Sequence, residues 1–332
     1  MQKKYNWATY GVGVIGHELA EAMKKTGSTL YAVGNRTHTK AVAFAEEYGI
    51  AKVYDDPDEM FSDDEVDIIY ISTPHNTHIG LLEKALSAGK HVLCEKSITL
   101  NTQELERAVR TADERHVILA EAMTLYHMPL YRKLNEVISS GRLGPLRIIQ
   151  INFGSYKEYD MQNRFFNRKL AGGALLDIGV YAISCVRWFM TSCPDQIQSQ
   201  VRFAETGVDE QAGILLMDQE QEMATVTLSL HAKQPKRGII AFDKGFIELN
   251  DYPRGEKAVI TYTEDGHTEA VEAGNTSDAL VYEIIDMEEA VTGSENHMYL
   301  GYTRDVMRIM SEIRKSWGMR YPEEEQSENS IL

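Results

Sequence analysis

Asp177 and Tyr181 stand four residues apart in an apolar run, and Lys96 closes another directly after Glu95. A carboxylate, a phenol and an ammonium are groups that can take a proton from an alcohol and stabilise the oxygen charge left behind. Read singly, each has an ordinary explanation. Tyr181 reads as a core tyrosine with its hydroxyl satisfied, Asp177 as a helix-start acid favoured by the macrodipole, and Lys96 as a solvated loop lysine. A stronger signal lies nearer the start, where the run 5–10 ends in Gly11-Val12-Gly13-Val14-Ile15-Gly16 and opens onto 18–25, with Leu19, Ala20 and Met23 at helical spacing. Strand, glycine turn and helix follow in order. In such a turn Gly11 allows the tight bend, Gly13 lets the backbone approach a pyrophosphate, and Gly16 lets the helix pack closely; Val14 and Ile15 open the helix, whose N-terminus faces the anion.

The elements that must position these groups fall into two textures. Over the first 120 residues, short β-rich runs (29–33, 66–72, 91–94, 117–120) alternate with amphipathic helical ones (37–47, 79–87, 103–114). That alternation predicts crossover units and a doubly wound parallel sheet. After Met123 a helix at 130–139 gives way to β runs at 146–153, 198–203, 212–217, 224–230, 238–242, 246–249 and 258–262, mostly without helices between them. A large, mainly antiparallel sheet in an α+β domain is the natural expectation. Helices return at 279–292 and 304–317. The predicted division is a dinucleotide-binding domain at 1–122 and a substrate-binding and oligomerisation domain at 123–332, with an acidic tail at 322–332 expected to fray.

Composition removes several classes of partner. A chain of 332 residues exceeds the size at which one core stops growing, so two domains are expected. The net charge of −16 disfavours nucleic acid and anionic membrane surfaces. Cys94, Cys185 and Cys193 are few and in no metal or redox spacing, which fits a reducing compartment. With no apolar leader after Met1 and no apolar run judged long enough to span a membrane, a cytoplasmic protein is expected.

The nucleotide's identity is read at Gly34-Asn35-Arg36-Thr37. A site that prefers NAD wants an acid about 20 residues past the glycine turn to hold the ribose 2′-hydroxyl. Here Asn35 follows Gly16 by 19 residues, Arg36 offers a planar cation for a 2′-phosphate, and Lys40 a second charge, so NADP(H) is favoured over NAD(H). Thr73-Pro74-His75 and His78 leave the next strand at its carboxyl end, where doubly wound folds bind ligands. A zinc reading of the two histidines lacks a third ligand at suitable spacing, so no metal is expected. Glu95 and Lys96 leave the following strand at the same end.

These pieces combine. The glycine turn, Glu95-Lys96 after His-Val-Leu-Cys, Glu121-Ala122 with Pro129, Ala171 through Tyr181, and the Glu205-to-Asp209 and Pro235 segments resemble the glucose-fructose oxidoreductase and inositol dehydrogenase family, Gfo/Idh/MocA. The resemblance spans nearly the whole chain, and Asp177-x-x-x-Tyr181 is similar to its dihydrodiol and D-xylose dehydrogenase branch. It implies hydride transfer between nicotinamide and a secondary alcohol or carbonyl of a sugar-like polyol, by a homodimer. Tyr181 then trades the substrate's proton, Lys96 lowers the phenol's pKa and stabilises alkoxide, and Asp177 orients another hydroxyl. His78 borders the nicotinamide or substrate in this reading, and Tyr126, Arg147 and Arg164 are further candidates for substrate contact.

Three departures bear on the pocket. Ser97 replaces the proline that usually follows Glu-Lys, which restores a donor and predicts a looser hold on Lys96. Tyr126 stands where relatives often place Arg, and Thr124 where the branch carries a bulky aromatic. Two other readings stay open: an NAD-dependent glycosidase of the same fold, which keeps its nucleotide and cleaves aryl glycosides without net turnover, and a nucleotide sensor indifferent to replacement of Lys96 and Tyr181.

Overall fold

The computed structural model describes residues 5–329, which divide into two compact units: 5–127 with 277–300, and 128–276 with 301–329. The first unit is built from β1 (Asn6–Tyr10), α1 (Val14–Thr26), β2 (Thr29–Gly34), α2 (His38–Tyr48), β3 (Lys52–Tyr54), α3 (Pro57–Phe61), β4 (Ile68–Ile71), α4 (His78–Ser87), β5 (His91–Glu95), α5 (Thr102–Arg115), β6 (Leu119–Ala122) and α6 (Thr124–His127). Its six strands pair in the order β3-β2-β1-β4-β5-β6, every pair parallel. All four residues of β4 and of β6 are buried, as strands covered on both faces require. The strand order reverses at β1, between β2 and β4. Ligand crevices form outside the carboxyl ends at such a switch point.

The second unit contains α7 (Pro129–Ser139), β7 (Leu146–Gly154), α8 (Val180–Phe189), β8 (Gln196–Phe203), β9 (Asp209–Met217), β10 (Met223–Ser229), β11 (Gln234–Phe242), β12 (Gly245–Asn250), β13 (Lys257–Tyr262) and β14 (Thr268–Glu272). Eight strands run β14-β13-β12-β11-β7-β10-β9-β8, antiparallel throughout except for the parallel pair β7 and β10. Residues 149, 151 and 153 of β7 and 224, 226 and 228 of β10 are buried, and the residues between them are not. The helix α8 covers that buried face. Its approach is close, since a Cβ on Gly179 would lie 2.8 Å from a Leu228 methyl.

Three helices end the chain: α9 (Ala279–Thr292), α10 (Leu300–Ser316) and α11 (Pro322–Asn329). Several expectations change here. The first boundary falls after His127 instead of 122, and α9, expected in the second domain, belongs to the first unit. A reason is visible in β1: Trp7 is fully buried, and its indole N–H donates to Glu288 of α9 at 3.0 Å. Lys25 of α1 adds an ion pair to Asp278 at 2.6 Å. The tail expected to fray is helical through Asn329. Arg314, 3 % exposed, pairs bidentately with Glu324 at 2.8 and 2.9 Å, and Arg168 pairs with Glu325. Residues 330–332 of that expectation lie outside the described residues. One helical stretch, Arg168–Phe189, is after all long and apolar enough by length and composition to cross a membrane, but 78 % of its most apolar window is buried within the fold. That burial is the mark of a core helix.

Candidate active site

The glycine turn sits at the carboxyl end of β1. Gly11 has φ +113°, and a Cβ there would meet the Ser72 carbonyl oxygen at 2.6 Å, so the position requires glycine on two counts. Helix α1 begins with Gly13 as N-cap, without a side-chain cap and without an acid in its first turn. Its first amides therefore point at open space. In front of them lies a cavity of about 560 Å³ whose lining includes Gly11, Gly13, Asn35, Arg36, Lys40, Thr73 and Pro74.

Seven of the expected cofactor residues thus share one cavity. Tyr10, Thr37, Thr77, Leu81 and Lys84 also line it, none of them expected as a cofactor contact. A helical-face lysine such as Lys84 carries no local signal, and its Asp58 partner at 2.8 Å makes it look like a surface ion pair. Asn35 donates from its side-chain amide to the Thr37 carbonyl at 3.0 Å, fixing the turn that presents Arg36. The donor set fits a dinucleotide, with backbone amides and a helix N-terminus for its pyrophosphate.

His75 and His78 hold structure. His78 is fully buried, with Nε2 2.8 Å from the Thr73 carbonyl oxygen and Nδ1 3.0 Å from that of Ser97. Burial pushes its pKa down, so the neutral ring has one N–H to give and donates to one loop while abutting the other. The expectation that His78 borders a ligand is corrected: no face of the ring is open. Nε2 of His75 meets the Lys96 carbonyl at 3.1 Å.

The loop bearing Lys96 is pinned along its length. Ile98 N–H donates to Glu121 at 3.1 Å and Leu100 N–H to Glu104 at 2.9 Å, while Tyr70 donates to Glu95. Ser97 is fully buried, and the Lys96-Ser97 peptide is cis. A serine after Glu-Lys therefore does not leave the loop loose, because carboxylates take its amides and imidazoles meet its carbonyls. Tyr126 is fully buried against Tyr299, which removes it from the open surface.

In the second unit Asp177 lies in a π-helical turn, Leu175–Gly179, and Tyr181 in the first turn of α8. The two therefore do not share one regular α-helix, a form of local irregularity often found at functional sites. The Tyr181 ring lies 6.2 Å from that of Phe153 at 33°. Arg164 reaches Asp177 at 3.6 Å. Arg147 does not join them. It forks onto Asp243 at 2.6 and 3.0 Å, and it is the second residue of β7, about 20 Å of strand before Phe153.

Beneath the turn lies Asp209, a residue the sequence reading used only as part of a motif. Its Oδ2 accepts from Leu175 N–H at 2.6 Å, while Oδ1 has no hydrogen-bond partner. Gly173, at φ +127°, leaves room for Oδ1: a Cβ there would stand 2.2 Å from it. The Tyr321 hydroxyl donates to the Gly172 carbonyl at 2.7 Å, so the chain's end props the same turn.

Burial raises the Asp209 pKa from 3.8 to about 7, against the lowering effect of the Leu175 amide. The fold therefore favours the protonated form. That contribution to stability is complete below about pH 4 and is lost as pH climbs toward 7. The variant Asp209→Asn keeps the shape and an acceptor for Leu175 without the charge. Its thermal midpoint minus that of the parent is expected to increase between pH 4 and 7, then level off, reaching several degrees at roughly 2–4 °C per kcal/mol. A flat or falling difference contradicts this.

A parallel six-stranded sheet with a cavity at its switch point, followed by an eight-stranded sheet covered by the helix α8 that bears Tyr181 just after Asp177, is the architecture of a two-part nicotinamide-dependent oxidoreductase. Comparison with known proteins gives the family. Residues 5–123 match the family model described as the oxidoreductase family, NAD-binding Rossmann fold, and 131–248 match the GFO/IDH/MocA C-terminal domain. The chain belongs to the Gfo/Idh/MocA oxidoreductases. A human trans-1,2-dihydrobenzene-1,2-diol dehydrogenase is 31 % identical over 247 residues, covering 73 % of each chain. The namesake from Xenopus tropicalis is 26 % identical over 328 residues, 95 % of this chain and 99 % of that one. Among solved structures, a 3-ketoreductase from Actinomadura kijaniata in complex with NADP and TDP-benzene superposes with TM-score 0.81 at 23 % identity, over 94 % and 96 % of the two chains. A levoglucosan dehydrogenase in complex with NADH and levoglucosan superposes at 0.85 and 17 % identity, over 95 % and 97 %.

Proposed function

We propose that this protein is an NADP(H)-dependent oxidoreductase that transfers hydride between nicotinamide and a secondary alcohol or carbonyl of a sugar or similar small polyol. The observation that carries the cofactor choice is a cavity lined by Arg36, Lys40 and Lys84, with the amide Asn35 where an acid would hold a 2′-hydroxyl. Named relatives fall on both sides of that choice, one structure holding NADP and another NADH, so the discrimination rests on this chain's own residues. The bound nicotinamide supplies the hydride acceptor or donor. In oxidation Tyr181 takes the hydroxyl proton; in reduction it returns one to the carbonyl oxygen. A phenol is a weak base near neutral pH, and an ammonium beside it favours the phenolate, which is the part given to Lys96. Lys96 also donates to the oxygen as negative charge grows there. Asp177 accepts from a neighbouring hydroxyl and fixes the ring's orientation.

The test is equilibrium binding of NADPH and NADH to the purified protein, followed by turnover with each. Preference for NADPH of tenfold or more supports the reading, and equal or reversed affinity overturns it.

We also propose a homodimer joined through the sheet face opposite α8. Across five strands Met217, Met223, Ile148, Ala241 and Phe246 lie in register as one row of partly exposed apolar side chains. Such a contiguous row on a sheet face marks an interaction surface. Light scattering of the native protein is expected to give twice the chain mass, and Met223→Asp with Phe246→Asp the single mass. A cytoplasmic location is proposed as well, supported by three cysteines that form no disulfide and checked by fractionation.

A further inference from the structure

Of the three cations that line the nucleotide cavity, Arg36 precedes α2 and Lys40 lies in its first turn, whereas Lys84 comes from α4. Lys84 also differs in its partner. Its Nζ lies 2.8 Å from Oδ1 and 2.9 Å from Oδ2 of Asp58, while Arg36 and Lys40 take part in no ion pair among the described residues. One ammonium of the lining is therefore already engaged by a carboxylate.

The acid's place is fixed by the helix that bears it. Asp58 stands in the first turn of α3, where its backbone N–H donates to the capping Asp56 carboxylate at 2.9 Å and Pro57 opens the helix. Met60 and Phe61 of the same helix are buried, and the Phe61 ring meets that of Tyr10 edge-on at 6.4 Å. Tyr10 itself lines the cavity, so α3 is anchored at the cavity's edge. The Tyr10 phenol also registers how charges converge there: burial raises its pKa, Asp56 adds to the rise, Arg36 opposes it, and Asp55 and Lys84 repeat the contest more weakly. Asp55 lies 3.3 Å from His38, and Asp56 is occupied as a cap. Asp58 is the acid of this loop that touches a lining cation.

We infer that Asp58 is a specificity-determining residue: it competes with the 2′-phosphate of NADP(H) for Lys84 and so sets how far the phosphorylated nucleotide is preferred. This rests on the reading of the cavity as a site for a phosphorylated ribose. In that reading Arg36 and Lys40 supply the preference and Asp58 limits it. A phosphate that reaches Lys84 shares its ammonium with the carboxylate and is repelled by the negative charge just behind it. A nucleotide without the 2′-phosphate brings no charge to this corner, since its pyrophosphate is drawn to the α1 N-terminus. The effect of Asp58 therefore falls on one nucleotide and spares the other. A cofactor used as a co-substrate must leave after each hydride transfer, and a tempered hold on its phosphate serves that exchange.

The experiment is calorimetric titration of NADPH, NADH and adenosine 2′,5′-bisphosphate into the parent protein, Asp58→Asn and Lys84→Gln, at low and high salt. Asp58→Asn keeps an oxygen for Lys84 and the backbone N–H that meets the cap, so it removes the charge and leaves α3 in place. It is expected to tighten NADPH and the bisphosphate about three- to tenfold at low salt, the repulsion of a unit charge about 6 Å from a phosphate dianion in water. The gain is expected to shrink as salt screens the charges, and NADH to stay within about twofold. Lys84→Gln is expected to weaken NADPH and the bisphosphate and to leave NADH unchanged. NADPH affinity that stays level or falls in Asp58→Asn, an equal gain for NADH, or a Lys84→Gln variant that binds NADPH as the parent does overturns the inference. A parent that binds NADH as tightly as NADPH would instead count against the proposed cofactor choice, and a gain confined to the phosphorylated ligands in Asp58→Asn would still leave the competition for Lys84 standing.

Discussion

Replacing Lys96 with alanine is expected to lower kcat by a factor of about 10²–10³, the loss seen when one donor to a developing oxyanion is removed. NADPH affinity is expected to change far less. The separation follows from where the residue sits. Its loop is fixed by groups other than the ammonium, with Glu121 on the Ile98 amide, Glu104 on the Leu100 amide, and His75 and His78 on carbonyls. Truncating the side chain therefore leaves the backbone in place. Tyr181→Phe is the companion, removing the proposed proton carrier and keeping the ring on Phe153; general acid–base loss predicts a factor of about 10²–10⁴. Because Lys96 is assigned to make the phenolate available, the two losses are expected to be far from additive. Steady-state kinetics of the single and double variants check this. A double variant that loses the product of the two single factors would show that the groups act independently.

Arg36→Ala combined with Asn35→Asp is expected to move the ratio of NADPH to NADH affinity by about 10²-fold or more toward NADH. A charge-assisted hydrogen bond contributes about 1.5–3 kcal/mol, or roughly 10–100-fold, and the new acid adds repulsion against a 2′-phosphate while holding a 2′-hydroxyl. Lys40 and Lys84 line the same cavity, so some phosphate affinity is expected to survive the double change. Fluorescence titration with both nucleotides gives the ratio directly. An unchanged ratio would mean that the cations of this corner do not meet the phosphate.

Much of this architecture is legible in the chain. The run 66–72 reads as a buried strand, and 68–71 form it, because a parallel sheet covered on both faces leaves no polar alternation to mislead, and Gly11 to Gly16 announces the turn through side chains that must be absent. The histidines were legible as belonging near the site and illegible in role. Nothing local distinguishes a histidine that meets a ligand from one whose nitrogens meet carbonyls 5 and 19 residues away. Residues 52–54 escaped notice because three partly exposed positions carry no measurable period. The return of α9 to the first unit was hidden for another reason. Its signal lies in contacts distant in sequence, such as the hydrogen bond between Trp7 and Glu288, 281 residues apart, and no pattern in a window of sequence can hold them. Asp209 shows the converse case. An acid inside the run of β9 looked like part of a motif, whereas burial and the Leu175 amide make it the support of the turn above.

The most direct test of the central claim is nicotinamide absorbance followed across aldoses, inositols, uronates and dicarbonyls, with NADP(H) and NAD(H) in parallel, for the parent protein and for Lys96→Ala and Tyr181→Phe. The expected result is an absorbance change with at least one of these compounds, faster with the phosphorylated nucleotide and lowered at least a hundredfold in both variants. Variants that match the parent's best rate would contradict the assigned chemistry, and a protein that binds NADPH yet produces no change with any compound would contradict the proposed reaction itself.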